Sequence, residues 1–204
     1  KPQAEYPLPW SICRLLPGNN LSVSGLGDLN QAAIDMGNFV AALQQIAATD
    51  GPHAKRGLPL SSRDKETRKA IDLLTGLIDT ERATEFWNSA VSLPQSNGPA
   101  RWFHGDLHPG NLLVQKGRIS AVIDFGSSGV GDPACDLMFA WTVLDGESRK
   151  TFQTIVRPDN ASWERGRAWA FTMGSVAYPY YKETNPVFAA VAKRAMDEAL
   201  KDKS

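Results

Sequence analysis

The sequence predicts an α+β fold, mainly α, with one small β insertion in its middle. Three observations carry that reading. Apolar residues recur at helical spacing over about 30–48, 62–78 and 80–91, and again over about 134–145, 147–156, 161–178 and 186–201. Between those two blocks, residues 101–124 change texture to short apolar runs separated by glycine. No internal repeat or low-complexity tract interrupts the 204 residues, a length that supports one domain with a sizeable core.

Residues 1–20 are rich in proline and read as extended, with Trp10–Leu16 as one strand closed by a turn at Pro17-Gly18-Asn19-Asn20. Asp28 is placed to cap the first helix, on which Ala33, Met36, Val40, Leu43 and Ala47 share a face. Gly51 to Pro59 reads as a loop. After the second and third helical patterns, over about 62–78 and 80–91, the chain breaks at Leu93-Pro94 and Asn97-Gly98-Pro99. A strand at 101–103 follows, then a hairpin of 112–115 against 118–123 that turns at Lys116-Gly117. Helices resume after Pro133 and continue to the end.

Composition excludes several classes of function. The 22 basic and 22 acidic residues cancel, so no bulk field recruits nucleic acid or an anionic membrane, and an anionic ligand needs a local site. The two cysteines, Cys13 and Cys135, are too few for a disulfide scaffold or a zinc site and read as reduced and buried. The apolar runs fall short of the ~20 residues of a membrane span, and the start does not resemble a signal peptide. A cytoplasmic protein is the expectation. Because it opens on Lys1-Pro2-Gln3 without Met, the chain is expected to be a fragment of something longer.

The chemistry-bearing residues concentrate between 102 and 136. A strand delivers Asp106 into a loop that cannot be helical, because His108 precedes Pro109 and Gly110 follows. Asn111 emerges where the next strand begins, and Asp124 ends the hairpin's second strand. The hairpin can therefore bring Asp106, Asn111 and Asp124 together at one end of a rigid support. Oxygen donors of this kind suit Mg²⁺, which needs few protein carboxylates when phosphates supply the rest. The remaining carboxylate can accept or orient a hydroxyl proton. His108 has no second His or Cys at ligand spacing and reads as a hydrogen-bonding loop residue. Trp141, Trp163 and Trp169 read as core, with one or two available to line a pocket.

The run His104-Gly105-Asp106-Leu107-His108-Pro109-Gly110-Asn111, followed by Asp124-Phe125-Gly126, resembles the catalytic loop and metal motif of kinases. Gly105 in place of the protein-kinase arginine, the His-Pro-Gly filling, and Gly131-Asp132-Pro133-Ala134-Cys135-Asp136 resemble the aminoglycoside phosphotransferase and choline kinase branch. That resemblance implies a protein-kinase-like C-terminal lobe whose hairpin carries the catalytic loop. It implies Asp106 as the catalytic base or hydroxyl-orienting group, Asn111 and Asp124 as holders of Mg²⁺, and Asp136 and His104 as supports of the loop. It also implies that 1–20 are the last strand of an N-terminal lobe plus the hinge, with adenine against the backbone near Arg14, Leu15 and Leu16. Residues 21–204 would then be the helical substrate lobe.

The reaction so implied moves the γ-phosphate of ATP, or GTP, to a hydroxyl of an aminoglycoside-like acceptor, as in antibiotic resistance; macrolides, choline, homoserine and other hydroxyl metabolites stay open, because acceptor choice lies in variable helices and loops. An acceptor bearing amines would want carboxylates beside Asp106, and Asp145, Glu147, Glu164 and Glu183 are the candidates. The phosphate-covering loop, lysine and glutamate of the family's N-terminal lobe have no place before residue 10. The chain alone is therefore expected to be inactive or nearly so. The alternative is a non-catalytic lobe that binds a ligand or partner. Hydrolase chemistry is weak, since no G-x-S-x-G elbow occurs.

Overall fold

The computed structural model describes residues 8, 10, 12–22 and 25–201. Among these, the helices are α1 (Leu29–Leu43), α2 (Asp64–Leu73), α3 (Thr80–Val91), α4 (Phe139–Thr142), α5 (Gly146–Val156), α6 (Asn160–Tyr181) and α7 (Pro186–Lys201). The strands are β1 (Asn19–Asn20), β2 (Arg101–Phe103), β3 (Leu112–Gln115), β4 (Arg118–Val122) and β5 (Gly129–Gly131). The fold is mainly helical, as the periodicity indicates. The β portion is richer than one hairpin: it forms an antiparallel sheet β1-β3-β4 and a separate antiparallel pair β2-β5.

The core is organised around α6, which is buried on all sides from Arg165 to Ser175. A helix without a solvent face must be wrapped by others. Here α7, α2, α3 and the 3₁₀ segment Pro133–Met138 pack on it, while α1 packs on α5. Trp87, Trp141, Trp169, Phe103, Phe139, Phe152 and Phe171 are all fully buried. Trp141 and Trp163 stack at 4.7 Å between ring centroids, as core residues. The short α4 leaves carbonyls without helical partners, and arginines from other helices satisfy them. Arg149 Nε donates to Ala140 O (3.0 Å), and Arg194 Nη2 donates to Val143 O and Leu144 O (3.0 and 2.8 Å).

The reading of the sequence needs four corrections. First, 10–16 is not a strand: its described residues join no ladder, and Ile12 and Leu15 are 87% and 94% exposed. The ladder instead takes Asn19–Asn20, assigned from sequence to a turn, which pair with Val114 and Leu113. Cys13 lies in that exposed piece, so only Cys135 is buried. Second, α1 stops at Leu43, which leaves Ala47 exposed. The carbonyls that would continue the helix are claimed by the β2 side chains: Arg101 Nη1 donates to Gln44 O and Trp102 Nε1 to Ala47 O, both at 2.9 Å. Third, the expected helix over 134–145 is a 3₁₀ segment plus the single turn of α4. Fourth, α6 runs through Pro179 to Tyr181.

Elsewhere the local signals act as expected. The Asp28 side chain caps α1 by accepting from Asn30 N (2.8 Å), and Asp79 caps α3 through Arg82 N (3.0 Å). Lys116 and Gly117 both take positive φ (53° and 76°), the geometry of a tight hairpin turn, and set the pairing Gln115↔Arg118. No helix among the described residues is long and apolar enough to cross a membrane.

The α6–α7 contact is close enough that a Cβ on Gly174 would lie 2.4 Å from Ala192 O, which is backbone and cannot yield. Gly174→Ala should lower stability by roughly 1–3 kcal/mol. Gly146→Ala, where an added Cβ meets nothing within 4 Å, should change it by less than about 0.5 kcal/mol. Denaturant unfolding of both variants reads the difference.

Candidate functional site

The site is built where β2 ends. Phe103 is the last paired residue, opposite Gly129, and the chain then passes His104, Gly105 and Asp106 into a loop closed by the 3₁₀ turn Pro109–Asn111. Gly105 sits at φ +84°, and a Cβ there would lie 2.6 Å from Ser127 O, so no other residue fits this bend. The bend is held from behind by Asp136, which is fully buried. Its Oδ2 accepts the His104 backbone N–H (2.8 Å) and its Oδ1 that of Gly105 (2.7 Å). Asp136 faces the loop from the 3₁₀ segment 133–138. Asp132 starts the segment by accepting from Ala134 N (3.1 Å) and is itself clamped by Arg165 Nε at 2.7 Å.

His104 completes the brace. Its ring accepts the Asp106 N–H at Nδ1 (3.2 Å), so Nε2 carries the hydrogen and donates it to Ile123 O (2.9 Å). Burial pushes its pKa down, against the Ile123 carbonyl and the nearby carboxylates, which pull it up. One neutral imidazole therefore ties Asp106 to the strand end that delivers Asp124.

Asp106 gathers most of the contacts in the loop. Asn111 Nδ2 donates to its backbone O (2.9 Å) and to Oδ2 (3.1 Å). His108 accepts the Gly110 N–H at Nδ1 (3.0 Å), which leaves Nε2 to face Asp106 Oδ2 at 3.4 Å. The Arg56 guanidinium lies 3.5 Å from Oδ1. Burial pushes the Asp106 pKa up, but His108, Arg56 and Asn111 together outweigh it and hold the carboxyl below its usual range. The group is anionic at neutral pH and better suited to orienting a hydroxyl than to keeping its proton.

The structure thus brings Asp106, Asn111, His104, His108 and Asp136 into one hydrogen-bonded unit. Asp124 is exposed at the end of β4 in the left-handed region (φ 61°, ψ 67°), with Oδ1 accepting from Gly126 N (3.3 Å). It is joined to the unit through backbone, by Ile123 N donating to Asn111 O (2.9 Å). Arg14, Leu15 and Leu16 are exposed, just ahead of β1, which docks on β3; Asn20 Nδ2 donates to Gly110 O (3.3 Å). No cluster of three His, Cys, Asp or Glu with metal-ligand geometry occurs among the described residues. Any cation here would lean on Asn111 and Asp124 and on its ligand.

A cavity of about 570 Å³ opens on Asp106, bounded by Asn111, His108, the C-terminal part of α6, Tyr181 and Phe188. Two of its lining residues were not expected from the sequence: Arg56 and Arg63. Arg63 opens the expected 62–78 helix, and Arg56 has only the signal of a basic pair, Lys55-Arg56, in a stretch that reads as loop. Its placement is tertiary. The 52–57 segment lies along β5, with Val130 N donating to Pro52 O (2.8 Å) and Asp132 N to Gly57 O (3.3 Å). Gly129 and Gly131 permit this approach: a Cβ on them would lie 2.6 Å from Pro52 O and 2.9 Å from Gly57 O. Of the tryptophans, Trp169 borders this region, with the Arg56 guanidinium 5.5 Å above its ring.

The carboxylates proposed for an amine-bearing acceptor are elsewhere. Asp145 caps α5 through Ser148 N (2.9 Å), Glu147 sits in the first turn of that helix, Glu164 pairs with Arg167 (3.1 Å), and Glu183 is exposed in the turn after α6. None lines the cavity. Glu164 is on α6, but roughly 20 Å along the axis from the residues that do.

A mainly helical domain with this braced Asp–Asn loop beside a small hairpin has a protein-kinase-like fold. The sequence pattern of the phosphotransferase enzyme family (APH) matches residues 1–169, and the chain belongs to that family. Among solved structures, the gentamicin complex of APH(2'')-IIa shares 16% identity at a TM-score of 0.53, covering 93% of this chain and 69% of that one. Macrolide 2'-phosphotransferase MphH from Brachybacterium faecium shares 22% at 0.53, with the same coverage. A thermostable mutant of APH(4)-Ia, in a ternary complex with AMP-PNP and hygromycin B, shares 19% at 0.52, covering 91% of this chain and 70% of that one. The uncharacterized protein YcbJ of Bacillus subtilis is 38% identical over 68 residues, which are 33% of this chain and 21% of YcbJ. The chain thus matches about a fifth of that relative's length.

Removing the Asp136 carboxylate leaves two buried N–H groups without acceptors, so Asp136→Ala should lose about 1–3 kcal/mol. Burial pushes the Asp136 pKa up to about 7, against the two N–H groups, which pull it down. The folded protein then holds a proton that the unfolded chain, with an ordinary Asp near 3.9, releases. The stabilising contribution is complete below about pH 4 and is lost as pH rises through about 7. Unfolding of wild type and Asp136→Asn from pH 4 to 8 should show wild type alone losing this increment.

Proposed function

We propose that this chain carries the acceptor-orienting and metal-holding part of a small-molecule kinase, which moves the γ-phosphate of ATP, with GTP as the second candidate, to a hydroxyl group. The carrying observation is the Asp106 carboxylate, held anionic in a braced loop and facing a cavity of small-molecule size. In this reading Asp106 accepts the hydrogen bond of the attacking hydroxyl and aims its oxygen at the phosphoryl group. The proton moves to Asp106 late, as the new P–O bond forms and the γ-phosphorus bond to the β,γ-bridging oxygen breaks to release the nucleoside diphosphate.

Mg²⁺ fits the residues present. Asn111 donates its amide hydrogens to Asp106, which leaves the amide oxygen as a hard donor, and Asp124 exposes a carboxylate on a strained backbone. Bound there with the nucleotide, the ion would neutralise charge on the phosphoryl oxygens. The exposed piece at Arg14–Leu16 is where the adenine would lie, as the hinge to a nucleotide-binding lobe. The neighbours' ligands, gentamicin, hygromycin B and AMP-PNP, support a nucleotide donor and a small hydroxyl acceptor.

Calorimetry of this chain with magnesium-ATP, and a transfer assay with labelled ATP on the protein that also carries the N-terminal nucleotide-binding lobe, test the reading together. Asp124→Ala should lose magnesium-dependent nucleotide binding. Asp106→Ala should keep it and lower transfer by about 10²–10⁴-fold. Transfer unchanged in Asp106→Ala would refute the assignment.

A further inference from the structure

The walls around Asp106 carry the wrong charge for a polyamine. Arg56 and Arg63 line the cavity that opens on Asp106, where Asp106 is the sole carboxylate among the described residues. The same two arginines, with Lys55, line an adjoining cavity beside Gly126, Ser127 and Trp169 that has no carboxylate among the described residues. Two like charges are thus held side by side in a partly dry site. Burial and the neighbouring Arg56 both disfavour the charged form of Arg63, and only Glu66, paired at 2.7 Å on the exposed side, opposes them. Arg56 is stacked on Trp169 and engages Asp106 through one nitrogen at 3.5 Å, too long for a strong ion pair.

Each guanidinium also keeps a buried nitrogen without a hydrogen-bond partner: Nη1 of Arg56 and Nε of Arg63. Buried donors of this kind are costly to leave unsatisfied. An anion between the two arginines would relieve the repulsion through their exposed nitrogens, and a planar guanidinium suits a carboxylate or a phosphate ester equally. The aromatic side of the cavity, Tyr180, Tyr181 and Phe188, offers apolar faces and hydroxyls for a carbon skeleton.

Resting on the phosphotransferase reading above, we propose that the acceptor is an anionic hydroxyl compound, bound through its carboxylate or phosphate by Arg56 and Arg63, and not a polycationic aminoglycoside. The two arginines anchor the acceptor at its charged end, and Asp106 receives the hydroxyl at the other. Specificity then comes from like-charge rejection of amines as well as from attraction of the anion.

The test is calorimetric titration of this chain with D-gluconate, glucose 6-phosphate, sorbitol, kanamycin and inorganic phosphate. At least one of the two anionic polyols should bind about tenfold or more tightly than neutral sorbitol and than kanamycin. Which of them binds tells a hydroxy acid from a sugar phosphate. Arg63→Gln should weaken that binding by about tenfold or more, and Arg56→Lys, which keeps the charge and the fold, by less. Three results would overturn the proposal: kanamycin binding more tightly than both anions, anion binding unchanged in both variants, or no binding of either anion at millimolar concentration. Inorganic phosphate binding alone would do so too, by assigning the arginines to the transferred group. Since the readout is binding without transfer, these results are independent of the magnesium-ATP experiment, which decides the phosphotransferase reading itself.

Discussion

The rest of the site depends on one buried carboxylate. Asp136 receives two consecutive backbone N–H groups, those of His104 and Gly105, and so converts a flexible bend into a fixed one. From that point the geometry propagates through hydrogen bonds. His104 accepts from Asp106 N and donates to Ile123 O, and Asn111 closes on Asp106 from the other side. Without the Asp136 anchor, the left-handed Gly105 would have no reason to stay, and the Asp106 carboxylate would lose its orientation. A group that must be aimed at a reacting atom needs this kind of support, because small displacements cost much of the benefit of proximity.

The surrounding architecture serves that anchor. Asp136 reaches the loop from a tight 3₁₀ segment, and that segment is pinned by the Asp132–Arg165 pair and by packing on α6. The central helix α6 thus connects two ends of the function. Near its N-terminus it holds the segment bearing Asp136, and near its C-terminus it lines the cavity in front of Asp106. Arginines at the helix ends satisfy carbonyls that short elements leave open, which lets the chain use a single turn such as α4 without exposing polar backbone.

Electrostatics distinguishes the two sides of Asp106. Toward Asp124 and Asn111 the site presents oxygen donors suited to a hard cation. Toward 55–63 it presents Lys55, Arg56 and Arg63. An anionic acceptor and a cation-bound donor would meet between these sides with Asp106 at the junction. Acceptor choice is set by which side chains the variable loops bring to the common loop.

The sequence by itself determined the helices, the β3–β4 hairpin and the identity of the loop residues, because these rest on local signals: helical spacing, the caps Asp28 and Asp79, the Lys116-Gly117 turn, and the His104–Asn111 run. Features that depend on distant partners were beyond it. The 10–16 piece is apolar, yet with Ile12 and Leu15 exposed it joins no ladder, while the unpromising Asn19–Asn20 finds β3. The helix expected over 134–145 is overridden by the pull of Asp136 on a loop about thirty residues earlier. The presence of Arg56 and Arg63 beside Asp106, and the absence of any expected carboxylate there, were decided only by tertiary structure. Local pattern carries no information on which loop β5 will accept. Here that was set by the close approach which Gly129 and Gly131 allow.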